Sequence, residues 1–234
     1  MKELLTVLTL AAVTGAVTSL SAAEISGKVK LKGTPPAEIK IDMSQDAKCG
    51  TANPTPPTTR HYVVGQDGGL GNVFVYIKEG AKPTPPKGDG PVLDQTDCMY
   101  QPYIFGVQTG QKFKIRNSDD TLHNVHAMPK ANKEFNFGQP VKGMVTEKSF
   151  DQAEVLVKFK CDVHQWMFAY AGVVDHPYWA ITGKDGAFKI SDVPAGAYTV
   201  EVVHLKAGRA EQKVTLAADD KKALDFTLEV PAPK

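Results

Sequence analysis

Short β-branched and aromatic runs separated by tight-turn residues recur along almost the whole of this chain. Val73-Phe-Val-Tyr-Ile77, Phe113-Lys-Ile-Arg116, Val155-Leu-Val-Lys-Phe159 and Tyr198-Thr-Val-Glu-Val-Val203 are short and partly alternating, as half-buried strands are. Between such runs stand Gln66-Asp-Gly-Gly69, Lys184-Asp-Gly186 and Pro194-Ala-Gly196, which supply the residues that tight turns need. Beyond residue 20 no long segment repeats its apolar residues every 3.6 positions. The expected fold class is therefore all-β. Two proline-rich stretches, Asn53 to Thr59 and Lys82 to Pro91, read as extended surface connections.

One stretch within this pattern carries chemistry. Cys161-Asp-Val-His164-Gln-Trp-Met167 presents a thiolate, an imidazole and a thioether at C-x2-H-x2-M spacing, and Leu122-His123-Asn124-Val125-His126 offers an imidazole from a separate segment. Copper cycles between Cu(I), which takes soft sulfur, and Cu(II), which takes nitrogen and thiolate, so a mixed set serves both states. Cys161, His123 and His164 would form a trigonal plane and Met167 a longer axial contact around one type 1 copper. Zinc is the nearest competitor and is disfavoured, because a thioether is a poor zinc ligand and His164 is the only Cys or His within four residues of Cys161. A structural cysteine beside a surface histidine and a core methionine is the plainer alternative. His126 lies three positions after His123 on an expected strand, so the two face opposite sides, and His126 is expected to be hydrogen-bonded or on the surface.

The stretch from about Val92 to Val174 resembles the cupredoxins, most closely the amicyanin-like branch with its short ligand loop. The likeness rests on Leu93 to Tyr100, Val107 to Asn117, Leu122 to His126, Val155 to Met167 and Ala171-Gly-Val-Val174. It implies a Greek-key β-sandwich with His123, Cys161, His164 and Met167 as copper ligands, and a role for Asn124 in tying the two ligand loops together by hydrogen bonding. It further implies a one-electron carrier that meets redox protein partners; for amicyanin-like proteins the partner is an amine-oxidising dehydrogenase. Four ligands would already fill the site and leave no open position or second metal, which argues against an enzyme. A small transient interface around an exposed edge of His164, near Trp166 and Phe168, would suit such a carrier. Where amicyanin-like loops carry prolines beside this histidine, the chain has Val163 and Gln165. The alternative is a copper-handling or interaction protein.

Past this stretch, Trp179 to Ile190 followed by Val193-Pro-Ala-Gly-Ala-Tyr-Thr-Val200 resembles the carboxypeptidase regulatory-like, transthyretin-like sandwich, with an Asp-Gly hairpin turn leading into a Pro-x-Gly-x-Tyr strand entry. Such a sandwich begins with strands like Ile25 to Leu31 and Leu70 to Ile77, and here both precede the copper segment. Residues 176 to 230 alone offer about four strands, few for a self-standing core. The expected organisation is thus one discontinuous sandwich, 24–90 plus 176–230, with a cupredoxin domain, 91–175, inserted into it. Two consecutive domains split near His176 are the alternative.

Residues 1–23 read as a secretory signal peptide: Met1-Lys2-Glu3, an apolar stretch from Leu4 to Leu20, and Ser21-Ala22-Ala23 before Glu24. An exported, periplasmic or extracellular protein follows, with no transmembrane segment in the mature chain. The chain carries 27 Lys and Arg against 26 Asp and Glu, a formal net charge of +1 that losing Lys2 and Glu3 leaves unchanged, which excludes a typical nucleic-acid binder. With Cys161 assigned to the metal, Cys49 and Cys98 are the candidates for a disulfide in an oxidising compartment. His61, His176 and His204 are scattered, and nothing in their spacing demands a second metal site. Lys130, Lys133, Lys142 and Lys148 surround Phe135, Phe137 and Met144, a pattern that suits either a solvated loop or a rim for an acidic partner.

Overall fold

The computed structural model describes residues 22–232. The expected signal peptide, 1–23, lies almost wholly outside the described residues. The described chain opens with β1 (Ala23–Lys32), a short helix α1 (Ala47–Ala52) and β2 (Phe74–Glu79). Nine strands follow: β3 (Val92–Thr96), β4 (Met99–Gln101), β5 (Ile104–Gln108), β6 (Phe113–Asn117), β7 (His123–Met128), β8 (Phe135–Gln139), β9 (Val145–Lys148), β10 (Glu154–Lys160) and β11 (Phe168–Val174). Then come β12 (Trp179–Ile181), β13 (Ala187–Val193), β14 (Gly196–His204), β15 (Gly208–Leu216), β16 (Lys221–Ala223) and β17 (Phe226–Glu229). The fold is all-β apart from α1.

Strands β3 to β11 form two sheets, ordered β5-β11-β10-β7-β8 and β4-β3-β6-β9. Side chains alternate across each strand, as the pleat requires: in β6, Phe113 and Ile115 are buried while Lys114 and Arg116 are exposed. The inward residues, among them Leu93, Phe113, Val125 and Phe159, share one core with Cys161 and Met167.

The remaining strands come from both ends of the chain. β1 pairs antiparallel with β13, matching Ile25 to Ile190, and parallel with β16 and β17, matching Val29 to Phe226. A second sheet runs β12-β2-β14-β15. Ile25, Val29, Val75, Ile77, Ile190, Val200 and Val202 bury one common core. Strands before residue 80 and after residue 178 therefore complete each other's sheets.

The chain leaves this outer sandwich and returns to it at one point, where the Thr84 amide donates to the Asp175 carbonyl at 2.9 Å. The two strand groups then meet through aromatic rings laid on glycines. A Cβ on Gly172 would stand 2.3 Å from the ring of Phe74, and one on Gly106 would stand 2.5 Å from Trp179. Only a residue without a side chain permits this approach.

A third, small cluster holds Ile41, Met43, Cys49, Cys98 and Met99, with Trp166 packed on it. Cys49 and Cys98 are joined by a disulfide, their Cα atoms 5.6 Å apart. α1 exists because Asp46 caps it: the side chain accepts from the amides of Lys48 and Cys49, two of the donors that a helix start leaves without partners.

Candidate metal centre

His123 opens β7, Cys161 follows the last residue of β10, and His164 and Met167 lie in the connection to β11. That connection is folded tightly by its own backbone: the Met167 amide donates to His164 O at 2.9 Å and the Cys161 amide to Met167 O at 3.2 Å. The two imidazoles face each other through Nδ1 at 3.0 Å, and Cys161 Sγ lies 3.8 Å from His164 Nδ1. Donor atoms of His123, Cys161 and His164 all fall within 4.8 Å of one another, and all three residues are buried. Met167 is fully buried in the same core.

The sulfur is held by more than its neighbours in the loop. Sγ of Cys161 accepts from the amides of Asn124 at 3.4 Å and His164 at 3.3 Å. Asn124 Oδ1 accepts from the Asp162 amide at 3.0 Å, so this side chain spans from the β7 segment to the β10–β11 connection. The buried hydroxyl of Tyr100 donates to Asn124 O at 2.5 Å and sits 3.3 Å from Lys160 O, joining the same two segments from below. Burial alone would push the Cys161 thiol up, but bonds from His123, His164 and the two amides bring it down to about 6, so the thiolate is accessible near neutral pH.

Two carboxylates complete the arrangement, and neither carries a signal in the sequence. Asp119 Oδ2 lies 2.8 Å from His123 Nε2, and Asp46 Oδ2 lies 3.0 Å from His164 Nε2. Each ring thus turns Nδ1 toward Cys161 and Nε2 toward an acid. Asp119 is itself fixed by the amides of Asp97 and Cys98, both at 2.8 Å. Those two residues adopt the left-handed region, φ 52° and 55°, which aims successive N–H groups at one carboxylate. Burial opposes charge on both imidazoles, yet Asp119 with Cys161 holds His123 above its ordinary value, and Cys161 with Asp46 does the same for His164. Asp46 lies in a segment remote in sequence and Asp119 in an unremarkable Ser-Asp-Asp-Thr turn; only the tertiary fold brings them to the rings.

The expectation of an exposed His164 edge needs correction. His164 is 2 % exposed, because Asp46 and the Cys49 sulfur, 3.6 Å from Nε2, cover that edge. The disulfide fastens the segment that does so. His126 is half-buried outside the centre, bonded to Asp162 at 3.0 Å and Glu134 at 2.6 Å.

His61, His176 and His204 do not converge. His176 Nε2 donates to Ile77 O at 2.7 Å, and His204 Nδ1 accepts from the Ala207 amide at 3.0 Å. Among the described residues, no group of three metal-competent side chains includes any of these histidines. In the lysine-bearing region, Lys148 lies over the rings of Phe135 and Phe137, whose apolar surface packs on the core, and Glu134, Glu147 and Asp151 share the shallow cavity there with Lys112 and Lys133.

The family of carboxypeptidase regulatory-like domains matches residues 171–229, beginning inside β11. Similar solved structures include a copper-containing nitrite reductase from Thermus scotoductus SA-01, at 14% identity and TM-score 0.35, over 43% of this chain and 25% of that one. A purple cupredoxin from Nitrosopumilus maritimus is similar at 21% identity and TM-score 0.30, over 36% of this chain and 99% of its own. A Cu(I) amicyanin carrying a methionine-to-alanine change is similar at 20% identity and TM-score 0.32, over 42% of this chain and 97% of its own. The chain spans about a quarter of the nitrite reductase's length. No curated protein matches it.

Proposed function

We propose that this chain binds one type 1 copper through His123, Cys161 and His164, with Met167 as axial ligand, and carries single electrons between redox proteins outside the cytoplasm. The observation that supports this most directly is the convergence of two Nδ1 atoms and one sulfur, all buried and within 4.8 Å of one another, with Met167 buried in the same core. The donor chemistry fits copper: a soft thiolate and two borderline nitrogens suit both oxidation states. When bound, the ion supplies a one-electron couple. The residues around it hold rings and sulfur in place, so that little rearrangement accompanies a change of charge. With four protein ligands the site keeps no position for a substrate, and we read the chain as a non-enzyme.

Within this reading, residues 91–175 form the copper domain and 24–90 with 176–230 the regulatory-like sandwich into which it is inserted. A copper-handling role is the second reading, favoured by the covered edge of His164. Copper titration of the purified chain, followed by visible absorption and a reversible one-electron titration, tests both. A carrier develops an intense thiolate-to-copper band that bleaches and returns over repeated cycles; a handling protein binds copper without such a reversible cycle. Cys161→Ser should abolish the band, and its survival would mean that the sulfur ligand is misassigned.

A further inference from the structure

The segment that covers His164 belongs to neither strand of the ligand loops. It lies 118 residues upstream and is held by its own small core, by the disulfide, and by a bond from Trp166 Nε1 to Cys98 O at 2.9 Å. Asp46 uses both carboxylate oxygens. Oδ1 accepts from the amides of Lys48 at 2.9 Å and Cys49 at 3.1 Å, which fixes the side chain, and Oδ2 faces His164 Nε2 at 3.0 Å. Since Nδ1 of His164 points at Cys161 and His123, a ring that ligates through Nδ1 carries its proton on Nε2. That buried N–H needs an acceptor, and Asp46 is the acceptor present.

We infer that Asp46 is a positioning residue for the copper couple: it fixes the orientation of His164 and, as an anion accepting the ring's N–H, lowers the reduction potential of the site. The inference rests on the copper reading above. An acidic acceptor makes the imidazole a stronger donor, and stronger donation stabilises Cu(II) over Cu(I). The negative charge acts in the same direction, at 3.0 Å from a ring that is itself buried. The potential is thereby tied to a part of the chain outside the strands that carry the ligands, a part that the disulfide fastens to the turn between β3 and β4.

Two variants of the full chain separate this role from helix capping. Asp46→Ser keeps a good cap for α1 but is too short to reach His164, and Asp46→Asn keeps the capping oxygen while turning an amide N–H toward the ring N–H. Both should remain blue and should favour Cu(I) about tenfold more than the native chain, a rise of about 59 mV for one electron. In the copper-free protein, the native chain should show a His164 Nε2-bound proton protected from solvent exchange by nitrogen-edited NMR, and Asp46→Ser should lose that protection. Blue variants with an unchanged potential would overturn the inference and leave Asp46 as a helix cap, with the copper reading intact. A native chain that takes up no copper would overturn the copper reading itself, and the tuning role with it.

Discussion

Met167 and His204 illustrate how one buried side chain can be tested apart from its surroundings. Met167 shares a core with Cys161, and as a weak axial ligand it should tune the copper couple without anchoring the ion. Met167→Leu, of similar volume, should retain a coloured site with a shifted potential; complete loss of copper would count against the axial role. His204 is buried, its Nδ1 accepts from the Ala207 amide, and burial drives its pKa from the ordinary 6.5 down to about 4, against a partial offset from Glu38. The sign follows from proton binding: between these values the unfolded chain takes up a proton that the folded chain refuses. The contribution is fully present above about pH 6.5 and is lost as pH falls toward 4, at most about 3 kcal/mol at roughly 1.4 kcal/mol per unit. Urea unfolding of the copper-free protein should show this slope, and His204→Asn, which offers an oxygen to the same amide, should flatten it.

At the level of elements, the contact between the strand groups depends on glycine in β5 and β11. Gly172→Ala would drive a methyl to 2.3 Å from the buried Phe74 ring, which is packed between Tyr76 and Trp179 and has little room to shift. The expected cost is about 3 kcal/mol, read as a lower urea midpoint at unchanged slope; Gly110→Ala, where a Cβ meets nothing within 4 Å though φ is +73°, should cost less. The strands themselves were legible in the sequence because β-branched alternation reports a half-buried surface directly, as in Phe113 to Asn117. α1 was not. Its six residues have no apolar period, and it rests on the Asp46 cap and the Cys49 bridge. The candidate ligands could be read from spacing because three of them sit in one loop. Asp46 and Asp119 could not, since an isolated aspartate has no pattern until the fold brings it to a ring.

For the whole molecule, the proposed insertion makes a prediction about which pieces can stand alone. A chain ending at Val174 loses β12 to β17 and uncovers Val73, Val75 and Ile77, which pack on Ile190, Val200 and Val202. It should aggregate or bind a hydrophobic dye. Joining Thr84 to His176 through a short Gly-Ser linker should instead give a folded, copper-free β protein, because the Thr84 amide already lies 2.9 Å from Asp175 O and closing a short loop costs little. A monomeric, cooperatively unfolding and fully blue fragment ending at Val174 would show consecutive domains instead. The same geometry decides how the molecule bears tension. β1 and β17 run side by side and parallel, paired from Val29 with Phe226 to Lys32 with Glu229. A pull applied at Ala23 and Glu229 therefore loads that ladder in shear, with its hydrogen bonds sharing the force together. The path of the force crosses the outer sandwich first, because residues 84–175 leave and rejoin it at two points already in contact and are otherwise tethered to it by the Cys49–Cys98 disulfide. Once β1 is stripped away, the Cys49–Cys98 bridge passes the pull to the turn between β3 and β4, so the metal centre is loaded second and not first.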